Sequence, residues 1–168
     1  MDYLKQFFKT EDSITPLVLR ITLALVIFPH GAQKVLGWFG GFGFEGTLGF
    51  FTQKMGLPTG LVLLIFAGEF LGSLGLLTGF LTRFSAAGIA AIMTGAAATA
   101  HWGNGFFMNW SGKQAGEGFE FHILAIGIAV ALIITGGGKF SVDQWISEKF
   151  LKFSKTPFVS RKLSLFTQ

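Results

Sequence analysis

The 168-residue chain contains no cysteine. Disulfides, thiol nucleophiles and iron–sulfur centres held by this polypeptide are therefore excluded. Charge is scarce as well. Asp, Glu, Lys and Arg make up 13% of the residues and the mean hydropathy is +0.58, whereas about a quarter of a soluble domain is charged. So few charges cannot dress the surface of a domain this size, and much of that surface has to face lipid. Local metal-ligand motifs such as H-E-x-x-H or E-x-x-H are missing, so neither a metal nor a haem is expected. The glycine run from Gly37 to Gly46 has no preceding strand and no Lys-Ser/Thr to grip a phosphate, which removes a nucleotide-loop reading and leaves a flexible interfacial loop. No small-residue cleavage site follows the mixed charges Asp2, Lys5, Lys9, Glu11 and Asp12, so the first apolar run is expected to stay as an anchor.

Apolar and aromatic residues are abundant, at 51% and 15% of the chain. Four apolar segments stand out, at about 14–36, 59–82, 84–107 and 119–135. Each is close to the roughly 20 residues that span a hydrocarbon core. The expected fold is all-α: a polytopic four-helix membrane bundle over 1–138, followed by a basic, amphipathic tail over 139–168. Pro16 suits a first helical turn, with Ser13 or Thr15 as cap, and Pro29 predicts a kink or frayed turn beside His30. The first and third connections are long and rich in glycine and aromatics, as interfacial belts are. Lys5, Lys9, Arg83 and the tail lysines and arginine outnumber Lys34, Lys54 and Lys113 in the long connections. By the positive-inside rule both termini are expected in the cytoplasm. The +4 charge sits mostly in the tail, which fits an anionic lipid surface and not nucleic acid. Val142, Trp145, Ile146, Lys149, Phe150 and Phe153 recur at helical spacing, as in a helix lying on the inner leaflet. Gly68-x3-Gly72, Gly75-x3-Gly79 and Ala87-x3-Ala91-x3-Gly95 let helices approach closely, within the bundle or in a homodimer.

Glu69 is the only charged residue between Thr59 and Thr82. A lone charge at mid-bilayer costs at least about 2.5–3.5 kcal/mol, so it needs a partner. On this topology His30 and Lys34 lie one turn apart towards the outer end of the first helix, His101 lies at the outer end of the third, and Glu120 opens the fourth. Glu120 and His122 point about 200° apart, so only one of them easily faces the bundle. Arg20, on the inner half of the first helix, reaches Glu69 only if its side chain stretches outward; otherwise it snorkels to the cytoplasmic surface as a structural residue.

The stretch Arg20 … His30-Gly-Ala-Gln-Lys34-Val-Leu-Gly-Trp38-Phe-Gly-Gly resembles the signature of DoxX-type membrane proteins. It is joined by Gly68-Glu69-x2-Gly72, Gly75-Leu-Leu-Thr-Gly79, Thr82-Arg83, Glu120 and Gly-Gly-Gly-Lys-Phe-Ser-Val-Asp143, so that the likeness runs from about Leu17 to Asp143. The resemblance implies a four-helix protein of the prokaryotic cytoplasmic membrane, in a family related to the membrane subunit of a thiosulfate:quinone oxidoreductase. It implies a polar core of Arg20, Gln33, Lys34, Glu69, His30 and Glu120. Together with the protonatable, phenylalanine-rich outer half, this sets the functional expectation: a quinone-interacting subunit of a membrane oxidoreductase, with electrons supplied by a partner redox protein or by the substrate itself. His30 and His101 are expected to hydrogen-bond the quinone carbonyls and Glu69 to exchange protons. Arg20, Gln33, Lys34 and Glu120 complete the binding site. The competing expectation is a small-molecule transporter, or a scaffold that anchors soluble redox enzymes.

Overall fold

The computed structural model describes residues 6–154, and side chains as far as Lys149. The described residues are all helix, turn and loop, with no strand. Helix α1 spans Thr15–Leu36. A short helix α2, Gly43–Gly49, runs on into a wider, π-type turn at Phe50–Lys54. Helix α3 covers Thr59–Thr78 and α4 covers Thr82–Asn104. Helix α5 spans Glu120–Thr135 and α6 spans Val142–Ser154. Among the described residues α1, α3 and α4 are long and apolar enough to cross a membrane, and the apolar α5 is shorter, at 16 residues. The expected tail beyond Ser154, including Lys155, Arg161 and Lys162, lies outside the described residues, as do the side chains of Phe150 and Phe153 in the expected amphipathic face.

The four long helices form a closed ring in which α1 packs on α3 and α5, and α4 packs on the same two. Leu23, Ala24 and Ile27 of α1, Leu76 of α3, Ala86, Ile89 and Met93 of α4, and Ala125, Ala129 and Leu132 of α5 make the core. Three of these are alanines with no exposed surface (Ala24, Ala86, Ala129), which brings backbones close. Between apolar helices in lipid the hydrophobic effect contributes little, so such close packing is what holds the ring together. The outward faces carry Val18, Leu25, Leu64, Leu71, Phe84, Leu124 and Ile134, all exposed. A continuous apolar exterior around a packed core is a surface made for lipid.

Helix α1 starts with Pro16 in its first turn, and Ser13 Oγ accepts the Thr15 N–H at 3.2 Å. It continues through Pro29 without interruption and ends at Gly37, whose φ of 72° is the left-handed stop that glycine tolerates. No frayed turn forms at Pro29: the helix runs on to Leu36, and the π-type turn of α3 packs against Gly31 just beyond it. The connection after α1 is likewise not a flexible loop. It turns once at Trp38–Gly40, then folds back so that Gly41 lies on the Gln33 backbone; a Cβ on Gly41 would come within 2.5 Å of the Gln33 Cα. This compact return is what builds a cleft at the loop end of the bundle.

The opposite end, where the described termini gather, is clamped by buried charge. Arg20 is 2% exposed. Its guanidinium donates to the carbonyls of Leu76 (3.0 Å), Leu77 (2.6 Å), Gly137 (3.1 Å) and Phe140 (2.8 Å). Asp143, also buried, accepts the N–H groups of Leu81 and Thr82 at 2.8 Å each. It thereby holds Leu81 at a φ of 50°, the tight corner between α3 and α4. Such a corner allows the two helices to follow one another almost directly.

Gly31 marks the closest approach of α1 to α3: a Cβ there would stand 2.7 Å from the Phe70 backbone nitrogen. Gly31→Ala is expected to cost about 1–3 kcal/mol by overpacking, read as a lower melting temperature of the detergent-purified protein. Gly88→Ala, which meets nothing within 4 Å, is expected to be neutral or to stabilise α4 by about 0.5–1 kcal/mol. Equal effects of the two substitutions would refute the close-packing account.

Candidate functional site

Glu69 and His101 both lie in wider, π-type turns, Ala67–Leu71 of α3 and Ala97–His101 of α4. Such turns interrupt the regular hydrogen-bond ladder and re-aim side chains, and they recur at functional positions. Glu69 is buried, and its Oε2 meets Lys34 Nζ at 2.5 Å. Lys34 is partly open, its side chain 22% exposed against 6% for Glu69. The Lys34 ammonium also lies 3.4 Å from the His30 carbonyl one turn back on α1. The pair can form because Gly31 lets the α1 backbone settle against Glu69 and Phe70, and Phe28 stacks on Phe70 at 5.7 Å beside it.

Lys34 has a second role. With Gln33, Gly40, Gly41, Phe42, Thr47, Phe50 and Phe51 it lines a partly open cleft of about 260 Å³. The walls are phenylalanine and glycine, and the polar groups are Gln33, the Lys34 ammonium and Thr47. Gln33 Nε2 donates to the Phe39 carbonyl at 3.3 Å, which ties the cleft's loop wall to α1. An apolar slot with a few donors at one edge, and a carboxylate joined to one of those donors, suits a flat carbonyl-bearing molecule.

Across the bundle, His101 of α4 and His122 of α5 are in ring contact, with centroids 4.3 Å apart and planes tilted by 44°. His101 Nδ1 donates to the Glu117 carbonyl at 2.8 Å. His122 is 5% exposed, and its Nδ1 has no hydrogen-bond partner among the described residues. His30 is exposed, yet lies within electrostatic reach of His122 as well as of Lys34 and Glu69. Among the described residues no three His, Asp or Glu side chains are grouped to hold a metal ion.

Two of the expected site residues are placed elsewhere. Arg20 neither reaches Glu69 nor snorkels to the surface; it spends its donors on four carbonyls at the terminal end, two in the last turn of α3 and two in the segment after α5. Glu120 is engaged with the connection between α4 and α5, accepting the Met108 N–H at 2.9 Å and the Trp110 Nε1–H at 3.3 Å. Of the two α5 candidates it is His122 that faces the core. Asp143 has no role expected from the sequence beyond its place in the family likeness, and His122 enters there only as the alternative to Glu120. The i+2 offset from Glu120 leaves the facing residue undecided, and only the rotation of α5 against α4 decides it.

A ring of apolar helices with a charged pair, a cleft and two touching histidines at one end defines a polytopic helical membrane protein with a polar site inside its membrane domain. The chain belongs to the DoxX family, whose family model matches residues 15–102, just over half of the sequence. The matched stretch holds Arg20, His30, Gln33, Lys34, Glu69 and His101, and ends before Glu120 and His122. Comparison with curated proteins and with solved structures gives no match.

Removing one partner of a buried ion pair leaves an uncompensated charge and typically costs about 3–5 kcal/mol, whereas replacing both with apolar groups is often neutral. Lys34→Met, which strands the buried Glu69 carboxylate, is therefore expected to lower thermal stability strongly, and Lys34→Met with Glu69→Leu to recover most of the loss. Additive effects in this double-mutant cycle would show that the two residues do not act as a pair.

Proposed function

We propose that this DoxX protein is a quinone-interacting subunit of a membrane oxidoreductase in a prokaryotic cytoplasmic membrane. The carrying observation is that one residue belongs to two features: Lys34 is the ion-pair partner of Glu69 and also lines the cleft. A quinone head group suits this lining. Phe42, Phe50 and Phe51 offer apolar faces, while Gln33 Nε2 and Lys34 Nζ are donors suited to a quinone carbonyl. The quinone supplies the redox chemistry, and the chain's own residues orient it, shield it and exchange its protons. Glu69 is the proton-exchanging group, coupled to the head group through Lys34. A partner redox protein supplies the electrons. Because neither His30 nor His101 lines the cleft, Gln33 and Lys34 take the binding role expected of the histidines in this reading.

All four apolar helices cross the bilayer, with both termini in the cytoplasm and the cleft on the opposite side. The distribution of lysine and arginine supports this orientation. The absence of native cysteine makes a direct check simple. In intact cells Ser111→Cys, in the exposed second long connection, is expected to react with a membrane-impermeant maleimide, and Ser147→Cys on α6 only after lysis. The opposite labelling would invert the topology.

The quinone reading is tested by organic extraction and mass spectrometry of the detergent-purified protein. Near-stoichiometric quinone is expected with wild type, with severalfold loss in Glu69→Gln and in Phe50→Ala. Wild type without quinone, or variants that retain it fully, would defeat this reading and leave the transporter or scaffold as the function to pursue.

A further inference from the structure

The contact between His101 and His122 is used neither by the cleft nor by the Lys34–Glu69 pair. Two imidazoles from different helices touch at 4.3 Å where α4 and α5 pair, and one of them is 5% exposed with an unpartnered Nδ1. A buried polar nitrogen without a partner is uncommon and carries a desolvation penalty, so its retention calls for an explanation. Packing alone does not provide one, since a phenylalanine would fill the same space without the penalty.

The geometry points to a proton-binding dyad: His101 and His122 act as one titrating unit that takes up a proton at the loop end of the bundle. The Glu117 carbonyl can only accept, so the hydrogen on that ring nitrogen belongs to His101 Nδ1. In neutral His101 the other ring nitrogen, Nε2, is then bare and free to take a proton. His122 is the neighbour whose charge state that proton must reckon with, because two imidazolium rings in van der Waals contact repel each other. The pair therefore accepts a second proton only against the charge of the first. Other charged or titratable groups at this end are Glu117 and Glu120 in and beside the connection, His30 and Lys34 on α1, and Glu69 on α3. Glu117 and Glu120 have their carboxylates on backbone N–H groups of Asn109 and Met108, and Glu69 is paired with Lys34. The dyad, with His30, is thus a proton site built of imidazoles, separate from the Glu69 carboxylate that the quinone reading uses. The connection over it is anchored by the Asn104 Nδ2–H donating to the same Glu117 carbonyl at 3.0 Å, so His101 joins the dyad to the surface loop.

The chain has three histidines, which makes the test direct. Quinone-stripped protein labelled with ¹⁵N-histidine is placed in lipid nanodiscs and its ring nitrogen signals are followed from pH 8.5 to 4.5, with His30→Gln used to assign the third ring. The two rings are expected to report the same two steps, separated by at least about tenfold in proton concentration, the threshold of strong coupling. His101→Gln is expected to reduce the His122 titration to a single step. Single, independent steps for each ring in wild type would overturn the dyad, as would a His122 titration unchanged by His101→Gln. The wild-type titration decides the matter even where the variant does not fold. It contains no quinone, so its failure and that of the quinone reading are separate results.

Discussion

The ion pair between Lys34 and Glu69 is the interaction on which the loop end of this bundle depends. In a bilayer core there is no water to solvate a stray carboxylate, so Glu69 needs its counter-charge inside the protein. Meeting that need sets several features at once. Gly31 has no side chain, so α1 can lie against the Glu69–Phe70 backbone. The wider turn at Ala67–Leu71 changes the direction in which Glu69 projects. Lys34, drawn towards Glu69, still lines the cleft that the returning segment Trp38–Phe51 closes over it. A bundle without a buried carboxylate at this position would need none of these adjustments.

The two ends of the molecule treat polarity differently. At the terminal end, polar groups are closely matched. Arg20 serves the carbonyls that end α3, and Arg83 serves the carbonyls of Ile133 and Ile134 that end α5 together with those of Phe7 and Lys9. A cation at a helix C-terminus is favoured by the helix dipole as well as by the unpaired carbonyls. Asp143 then caps the start of α4. This is a rigid clamp that fixes the register of the ring. At the loop end the matching is looser: Lys34 is partly open, His30 is exposed and His122 keeps a bare buried nitrogen. Chemistry is better placed where polar groups have capacity left over.

Much of this architecture could be read from residue order. Apolar runs of span length locate the long helices, because a helix that satisfies its own backbone is one of the few solutions in lipid. That Glu69 needs a partner was equally legible, since it follows from the cost of burying charge; that the partner is a cation and not a hydrogen-bonding group on a protonated carboxyl was not. Nor was the choice between cations. Arg20 and Lys34 both stand on α1, and the choice turned on the carbonyls that Arg20 meets at the end of α3 and around Gly137, which no local pattern records. His122 was hidden for a related reason: α5 is apolar nearly all round, so the sequence contains no stripe to fix its rotation. The short helix at Gly43–Gly49 was missed because glycine-rich stretches have low helix propensity, and here tertiary contact with Gln33 overrides that preference.

The central claim is that Glu69 is an ionised member of a pair with Lys34 and not a protonated residue packed between helices. Infrared difference spectroscopy of the protein in lipid bilayers, comparing wild type with Glu69→Gln and with Lys34→Met, addresses it directly. The account predicts that Glu69→Gln removes a carboxylate band, and that Lys34→Met converts this band into a protonated carboxylic acid band. A protonated Glu69 band already present in the wild type at neutral pH would contradict it.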